Sequence, residues 1–303
     1  MTPDGRHLET AALVALVRRG QRAWHQYAEL VEARGSALAV LREPHSEDAA
    51  IPTLFPTERD SEPDVGDDLD SIAEELGRWE AEGISMATVL DDAYPGNLRT
   101  IHNRPPFVFV RGALAAADER SVAVVGTRRA SNEGLSRARD VAAGLVAAGY
   151  TVVSGLAEGI DTAAHVAALE NGGRTVAVIG TGLRRAYPAK NTRLQQRIAK
   201  EAAVVSQFWP DAPPTKTSFP MRNVVMSGLA RATVVIEASQ TSGARMQARF
   251  ALEHGRPLFL LESLLEHEWA REFAERPGAF VVRSADEVVE RVERLVAPDV
   301  LTA

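Results

Sequence analysis

Cysteine is absent from the 303 residues of this chain. Without thiols the protein can form no disulfide, use no thiolate nucleophile and offer no cysteine ligand to a metal. Apolar runs are also short, since none approaches the roughly 20 residues that span a bilayer. The first residues lack the apolar core of a signal peptide. We therefore expect no membrane partner and a cytoplasmic location.

An excess of positive charge is lacking as well. The formal net charge is -7, so no overall field draws the protein to nucleic acid, and any such binding requires a local basic patch. Hydrophobic residues make up 45% of the chain. At this length, that content supports one large α/β domain together with a smaller one.

The N-terminal part of the chain changes character twice. Residues 8–41 have apolar positions at three-and-four spacing with a break at Gly35-Ser36, which predicts a small helical unit. Residues 44–68 collect prolines and acidic side chains, which predicts a loop or linker. The next predicted elements are a helix at 69–82 and strands at 84–89 and 107–110. We expect three regions, which are an N-terminal helical domain ending in the acidic, proline-rich linker (1–68), a connecting helix and strand segment (69–113) and a main domain (114–303).

From residue 114 onward, short β-rich runs alternate with longer amphipathic stretches. This alternation is typical of a mostly parallel, doubly wound α/β sheet. The predicted strands are 122–125, 151–153, 175–179, 203–206, 233–236, 257–261 and 279–282. The predicted helices lie near 133–148, 161–171, 191–200, 241–254, 266–275 and 285–296. Ligands of such sheets bind outside the carboxyl ends of the strands, so the segments that follow the strands are the candidate functional regions.

The stretch from residue 121 to 131 resembles a buried strand that leads into a binding loop. Val122 to Val125 are four consecutive apolar residues without alternation, as in a strand buried on both faces. Gly126 frees the backbone at the strand end, and Ser131 or Asn132 can cap the following helix. Arg128 and Arg129 add positive charge beside the N-terminus of that helix. An anion is the expected ligand.

Basic and aromatic side chains follow other strands too, and one edge of the sheet should collect them. They are Arg128, Arg129, Arg184, Arg185, Lys190 and Arg222, with Tyr187 and Phe208. Phosphate-binding cations together with stacking rings are what single-stranded nucleic acid requires. A local basic patch on an acidic protein is therefore predicted.

Each of these features is also compatible with a purely structural role. Gly126, Gly155 and Gly180 can be simple strand-to-helix turns, and Asp161 can cap the helix that it precedes. His165 can serve packing or a structural hydrogen bond, and Tyr187-Pro188 can be a rigid turn rather than a stacking platform. Glu237 can bind ribose or cap a helix, and the sequence leaves both roles open.

Several blocks of residues occur in a fixed order along the main domain. They are Gly126-Thr127-Arg128 with Ser131, Ser154-Gly155-Leu156-Ala157 with Gly159-Ile160-Asp161 and His165, Gly180-Thr181-Gly182 with Tyr187-Pro188 and Asn191, Phe219-Pro220 with Arg222-Asn223, Ser227-Gly228-Leu229, and Glu237-Ala238 with Ser242-Gly243. In this order they resemble the DNA-processing protein A family, also called Smf. The resemblance covers residues 8–296, and the number of blocks makes it specific.

The resemblance implies an extended Rossmann-like domain, with a doubly wound, mostly parallel sheet, after a small N-terminal helical domain. It also implies a homodimer that binds single-stranded DNA without catalysis and helps to load the recombinase RecA during natural transformation. No enzyme activity, metal or cofactor is expected. The DNA- or phosphate-binding positions carried over are Gly126, Thr127, Arg128, Ser131, Ser154, Gly155, Gly159, Gly182, Tyr187, Lys190, Asn191, Arg222, Asn223, Ser242 and Gly243. Arg128 and Arg222 suit bidentate phosphate binding, and Lys190 suits a point contact.

The sequence also departs from the family pattern. Glu158 stands where the family often has a basic or neutral residue, and its carboxylate would repel phosphate. Val224 replaces the arginine that commonly follows Arg-Asn, and Glu262 to Leu265 replace an expected Pro-Gly. Ser206-Gln207 stands in place of Ser-Glu, and Ala244 to Gln247 stand in place of a small, threonine-containing helix start. The resemblance is thus to a divergent member, in which we expect no C-terminal winged-helix domain of the kind that many relatives carry.

Two further functions compete with DNA binding. Glu158 and the altered 262–265 loop could narrow the site to one phosphate-bearing molecule, as in a small-nucleotide sensor, for example in phage defence. An enzyme such as a nucleotide phosphoribohydrolase is the third hypothesis. The Pro-Gly-Gly-x-Gly-Thr-x-x-Glu block of that enzyme group is absent from Glu237 to Gly243, which argues against it.

Overall fold

The computed structural model describes residues 3–43, 65–240 and 242–296. Residues 44–64, which form most of the predicted acidic linker, lie outside these ranges. The described residues fall into two compact units, one within Met1–Tyr94 and His102–Val108 and the other within Pro95–Ile101 and Phe109–Ala303. The predicted connecting segment, 69–113, is therefore divided between the two units. Within the described ranges, no helix is both long enough and apolar enough to cross a membrane.

The first unit is mainly helical, as the sequence predicts. It contains α1 (Pro3–Arg19), α2 (Trp24–Arg34), α3 (Ala37–Arg42), α4 (Val65–Ala81) and the strand β1 (Ile84–Thr88). Helix α2 ends at Gly35, whose φ of 67° closes the helix through a hydrogen bond from its N–H to the carbonyl of Glu32. Ser36 then caps α3 by accepting from the amide of Ala39. The predicted break at Gly35-Ser36 is confirmed.

The second unit alternates strands and helices. Strand β2 (Phe107–Gly112) begins in the first unit, beside β1, and ends in the second. The remaining elements are α5 (Gly96–Arg99), β3 (Ser121–Val125), α6 (Asn132–Ala147), β4 (Thr151–Ser154), α7 (Ile160–Glu170), β5 (Thr175–Val178), α8 (Thr192–Glu201), β6 (Ala203–Ser206), α9 (Ser218–Leu229), β7 (Ala232–Val235), α10 (Gly243–Glu253), β8 (Leu258–Leu261), α11 (Glu268–Ala274), β9 (Ala279–Val282) and α12 (Ala285–Val296). Short 3₁₀ turns occupy Ala116–Glu119, Ala189–Asn191 and Glu262–Glu266.

The sheet of this unit grows in two directions from β3. Its strand order is β2-β6-β5-β4-β3-β7-β8-β9, and all neighbours are parallel except β2, which runs antiparallel to β6. The prediction of a doubly wound, mostly parallel sheet is confirmed. Because the chain leaves β6 and returns to pair β7 with β3, the order reverses between β3 and β7. We call this place the switch point.

Burial explains why the central strands form. Val122, Ala123 and Val124 of β3 are fully buried, because helices cover both faces of a parallel sheet. The side chains that keep the helices on the sheet are likewise apolar, such as Leu145 of α6 and Val288 of α12. All seven strands predicted from residue 114 onward are present with ends within two residues of the prediction.

Two helices of this unit, the short α5 and the longer α9, were not predicted. Helix α9 occupies Ser218–Leu229, so Arg222 and Asn223 lie on a helix rather than on the loop where the sequence analysis placed them. Pro220 lies in the first turn of α9, where backbone N–H groups have no partner within the helix and proline is tolerated. The buried residues Val225 and Leu229 then hold α9 against the sheet.

Candidate functional site

A crevice lies at the carboxyl ends of β3, β4 and β5, beside the first turns of α9. Its lining comes from four separate segments of the chain, which the sheet topology brings together. The lining residues are Arg128, Gly155, Ala157, Glu158, Gly180, Thr181, Tyr187, Pro188, Phe219 and Arg222. Predicted binding positions that line it are Arg128, Gly155, Tyr187 and Arg222.

Arg222 provides a buried positive charge in the crevice. Its side chain comes from α9, only 6% of the residue is exposed, and Nη1 donates to the carbonyl of Val178 at 3.0 Å. A Cβ on Gly155 would overlap this guanidinium, so glycine is needed where the loop after β4 passes it. Burial lowers the pKa of Arg222; the charge of Asp161 opposes this shift, and the nearby charge of Arg128 adds to it. Two cations therefore approach each other here, which favours an anion between them.

Asp161 supplies a negative charge behind Arg222. It is the second residue of α7 and its carboxylate accepts from the amides of Gly155 at 3.1 Å and Ala157 at 3.4 Å. Burial raises the pKa of Asp161, while the charge of Arg222 opposes that rise. The predicted capping role is wrong, because α7 begins after Gly159 and Asp161 lies inside it. Asp161 instead holds the preceding loop in place.

An arginine and two aromatic rings form a row at the mouth of the crevice. The guanidinium carbon of exposed Arg128 lies 5.1 Å from the ring centre of Phe219. The ring of Phe219 lies 5.6 Å from that of Tyr187, which is 42% exposed. This row presents a positive charge and ring faces on the same surface, which suits phosphate and base together. Phe219 is absent from the predicted binding positions, although it stands three residues before Arg222.

Glu158 and Lys190 form an ion pair at the rim. Oε2 of Glu158 lies 2.5 Å from Nζ of Lys190, and both side chains are accessible to solvent. The segments that carry them are joined by Asn191, which is 5% exposed and donates to the carbonyl of Leu156 at 2.8 Å. The predicted binding position Lys190 is thus close to the crevice, but its charge is matched by Glu158. Asn191 acts in the structure as a buried connector.

The switch point is closed by a side chain of the protein itself. Glu237, which follows β7, accepts hydrogen bonds from the backbone N–H of Ser131 at 3.1 Å and from its hydroxyl at 2.8 Å. Ser131 Oγ in turn accepts from the amide of Gly134 and caps α6. Of the two roles that the sequence left open for Glu237, the geometry supports helix capping. Its carboxylate occupies the N-terminus of α6, where a dinucleotide fold would hold pyrophosphate.

His165 lies beneath the crevice in a structural role. It is fully buried, and its Nδ1 lies 2.7 Å from the hydroxyl of Thr175. That hydroxyl donates to the carbonyl of Val152, so it accepts from the ring, which places the proton of the neutral imidazole on Nδ1. Burial lowers the pKa of His165 to about 3, and the charge of Arg222 acts in the same direction. The structural hydrogen bond considered for this residue is confirmed.

Several more of the predicted binding residues serve the loops. Ser154 is fully buried and donates to the carbonyl of Val124. Asn223 donates to the carbonyl of Gly243, and Ser242 caps α10. Gly126, Thr127 and Gly159 lie where the loops after β3 and β4 meet, joined by the bond from Ile160 N to the Thr127 carbonyl. Gly182 is packed against the backbone of Trp209 and Pro210.

The remaining basic and aromatic candidates lie outside the crevice lining. Arg184 pairs with Asp211, and Arg185 donates to the carbonyl of that residue. Arg129 is exposed and Phe208 is half-buried. Across residues 3–43, 65–240 and 242–296, no three His, Asp or Glu side chains come together as a metal-binding group.

The fold and this crevice define a Rossmann-like α/β protein with a cationic, aromatic-lined site at the strand ends. The chain belongs to the DNA recombination-mediator protein A family, whose family model matches residues 85–293. The resemblance drawn from the sequence blocks is therefore confirmed.

Relatives support the same assignment. The chain is 41% identical over 213 residues to DNA processing protein DprA of Streptococcus pneumoniae, covering 68% of this chain and 73% of the relative. The corresponding protein of Bacillus subtilis is 31% identical over 220 residues, which cover 72% of this chain and 74% of the relative.

Solved structures of relatives also match the fold. The crystal structure of DNA processing protein A from S. pneumoniae matches with a TM-score of 0.71 and 30% identity, covering 94% of this chain and 97% of that chain. A structure of DNA processing protein A from Helicobacter pylori, which concerns a single-stranded DNA binding mode, matches with a TM-score of 0.62 and 25% identity. That match covers 70% of this chain and 96% of the matched chain. The Rossmann-like fold class is confirmed.

Proposed function

We propose that this protein binds single-stranded DNA in the crevice, without catalysing a reaction, and assists the loading of RecA onto the strand. The observation that carries the proposal is the approach of Arg128 and Arg222 beside the rings of Phe219 and Tyr187. The cations suit successive phosphates, and the exposed ring suits stacking of a base. The single-stranded DNA binding mode of the H. pylori relative supports this ligand.

The shape of the crevice favours a polymer over a small nucleotide. Its enclosed space is about 50 Å³, whereas sites for small molecules usually enclose roughly 300–1,000 Å³. The N-terminus of α6, which would suit the phosphate of a nucleotide, is occupied by Glu237. A strand that lies across the rim needs neither an enclosed cavity nor this helix end.

The roles of RecA and of a homodimer rest on the family. In this proposal the crevice holds the strand, a second copy of the chain extends the binding surface, and the assembly works in the cytoplasm during DNA uptake and recombination. Light scattering of the purified protein measures the oligomeric state. A strand-exchange assay with RecA and a single-strand-binding protein measures whether loading is accelerated.

The first test is a salt titration of binding to a fluorescent oligothymidylate. Lys190 is already paired with Glu158, so if Arg128 and Arg222 each neutralise one phosphate, log K should fall with log salt at a slope of about −1.4. Arg128→Ala should weaken binding about tenfold and make the slope shallower by about 0.7, because one charge-assisted contact and its counterion are lost.

The matched control is Arg197→Ala. Arg197 lies on α8 and pairs with Glu201 at 2.9 Å, outside the crevice lining. This variant removes the same charge and should leave the affinity within about twofold of the parent and the slope within about 0.2 of it. Undetectable binding of the parent at low salt, or equal losses in the two variants, would contradict the proposal.

A further inference from the structure

We propose that Glu158 is a built-in competitor for DNA phosphate, which occupies Lys190 in the free protein and is displaced when a strand binds. This inference rests on the proposed function and goes beyond it. It assigns to the Glu158 carboxylate the control of the affinity for DNA and of the salt dependence of DNA binding. It explains how a carboxylate can line a phosphate-binding crevice.

The contact is close, yet a ligand can reach it. Glu158 Oε2 and Lys190 Nζ are 2.5 Å apart, and the two side chains are 40% and 60% exposed. An ion pair with this exposure is screened by water and contributes little to stability. A phosphate oxygen can therefore replace the carboxylate oxygen at Lys190 for a modest free-energy cost.

The backbone holds both partners at the rim. Asn191, next to Lys190, donates to the carbonyl of Leu156 at 2.8 Å and to the hydroxyl of Thr162 at 2.9 Å. The same hydroxyl donates to the carbonyl of Ala157, which directly precedes Glu158. These bonds, of which the one to Leu156 is buried, fix the backbones of the two segments relative to each other, so Glu158 stays at the rim when its carboxylate is displaced. It remains near the phosphate and repels it.

The three cations of this region therefore differ in availability. Arg222 is buried with the charge of Asp161 behind it, and Lys190 is paired with Glu158. Arg128 makes no ion pair with a carboxylate in the part of the chain that the structure describes. A single phosphate gains most from Arg128, whereas a strand with several phosphates can also displace Glu158. The arrangement thus favours a polymer over a mononucleotide.

The test compares Glu158→Gln with the parent in the oligothymidylate salt titration. The variant keeps the size of the side chain and removes its charge. We expect the affinity near 100 mM salt to rise about three- to tenfold. We also expect the slope of log K against log salt to steepen by about 0.7, because Lys190 then exchanges a counterion rather than a carboxylate for the phosphate.

Glu201→Gln is the matched control. Glu201 is a paired, half-exposed carboxylate at the carboxyl-terminal end of α8, the end that leads away from the crevice into β6. It should raise the affinity less than about twofold, which accounts for the general change in net charge. Thermal melts of both variants establish that the fold is retained.

Lys190→Met distinguishes competition from simple repulsion. If Glu158 acts by occupying Lys190, the gain from Glu158→Gln should shrink at least about twofold when Lys190 is already absent. An equal gain in both backgrounds would overturn the inference. It would also be overturned if the parent bound DNA and lost affinity with Arg128→Ala while Glu158→Gln changed nothing. Undetectable binding by the parent and by Glu158→Gln would overturn the proposed function itself.

Discussion

At both the switch point and the crevice, a strand of the same sheet is followed by a loop and then a helix. The side chains at the two places carry opposite charge. At the switch point, the helix N-terminus of α6 is occupied by the carboxylate of Glu237. In the crevice, Arg128 and Arg222 approach each other with solvent access through the rim. The first place is closed by an internal anion, and the second is open to an external one.

This difference shows that a helix N-terminus in such a fold is not sufficient for phosphate binding. The positive end of α6 has the expected glycine-containing loop and serine cap, yet the carboxylate of Glu237 lies there and accepts from the N–H and hydroxyl of the capping Ser131. The positive charge available to a ligand comes instead from Arg128, in the loop after β3, and from Arg222 on α9. The ligand site is therefore defined by side-chain cations rather than by backbone amides, which suits a chain of phosphates more than a pyrophosphate.

The largest expected effect comes from removing the charge that holds the crevice together. Arg222→Met should lower the free energy of unfolding by about 3 kcal/mol, because the bond to the Val178 carbonyl is lost and buried Asp161 loses its nearby cation. Urea denaturation measures this loss. The double variant Arg222→Met, Asp161→Asn should recover part of it, and no recovery would mean that the two charges do not support each other.

A smaller effect should appear as a pH dependence of stability beneath the crevice. The pKa of His165 is lowered to about 3 in the folded protein, so from about pH 6.5 downward the unfolded chain takes up a proton that the folded chain does not. The stability that this group contributes is complete above about pH 6.5 and falls as the pH drops toward 3. Between pH 6 and pH 4, the loss should be about 2.5 kcal/mol.

Denaturation curves at several pH values check this prediction against His165→Asn. The variant keeps an amide donor toward Thr175 but carries no titrating group, so its stability should depend less on pH in the same window. Parallel curves for parent and variant would show that His165 takes no part in acid destabilisation.

The smallest expected effect is at the switch point. Glu237→Ala should cost about 1 kcal/mol of stability, because Ser131 loses its acceptor and the positive end of α6 loses a carboxylate. Affinity for the oligonucleotide should stay within about twofold of the parent. If this variant instead gained strong affinity for DNA, the switch point would be a second phosphate site and the contrast between the two places would fail.

The sequence was sufficient for the strands and for most helices of the second unit. Buried strands such as β3 are continuous apolar runs, and the helices between them have apolar residues at helical spacing. The residues that the sequence pattern marks as apolar are therefore the ones that the fold buries. The arginine at residue 128 and the aromatic residue at 187 were also accessible to sequence reasoning, because each directly follows a strand or a glycine-containing turn.

Helix α9 and its contribution to the crevice were missed for a physical reason. The segment before it contains Pro210, Pro213 and Pro214, and Pro220 follows in its first turn, and so many prolines indicate a loop. Pro220 in a first turn was nonetheless a helix signal, with Val225 and Leu229 at the following buried positions. Recognising α9 would have placed Phe219 and Arg222 three residues apart on one helical face.

The roles of the carboxylates could not be separated in the sequence. Glu158, Asp161 and Glu237 each follow a strand near a helix start, which is compatible with capping, ion pairing or ligand binding. Their different roles depend on partners distant in the chain, namely Lys190, Arg222 and Ser131. Only the sheet order brings these partners together.

The fit of Arg222 against Gly155 has a consequence for synthesis of the protein. The loop after β4 leaves the ribosome well before α9 does. The guanidinium of Arg222 can therefore pack against Gly155 only after β6 and α9 have been synthesised. A nascent chain that stops short of α9 therefore presents strands without a finished crevice. Capture on immobilised single-stranded DNA should thus separate completed molecules from truncated ones.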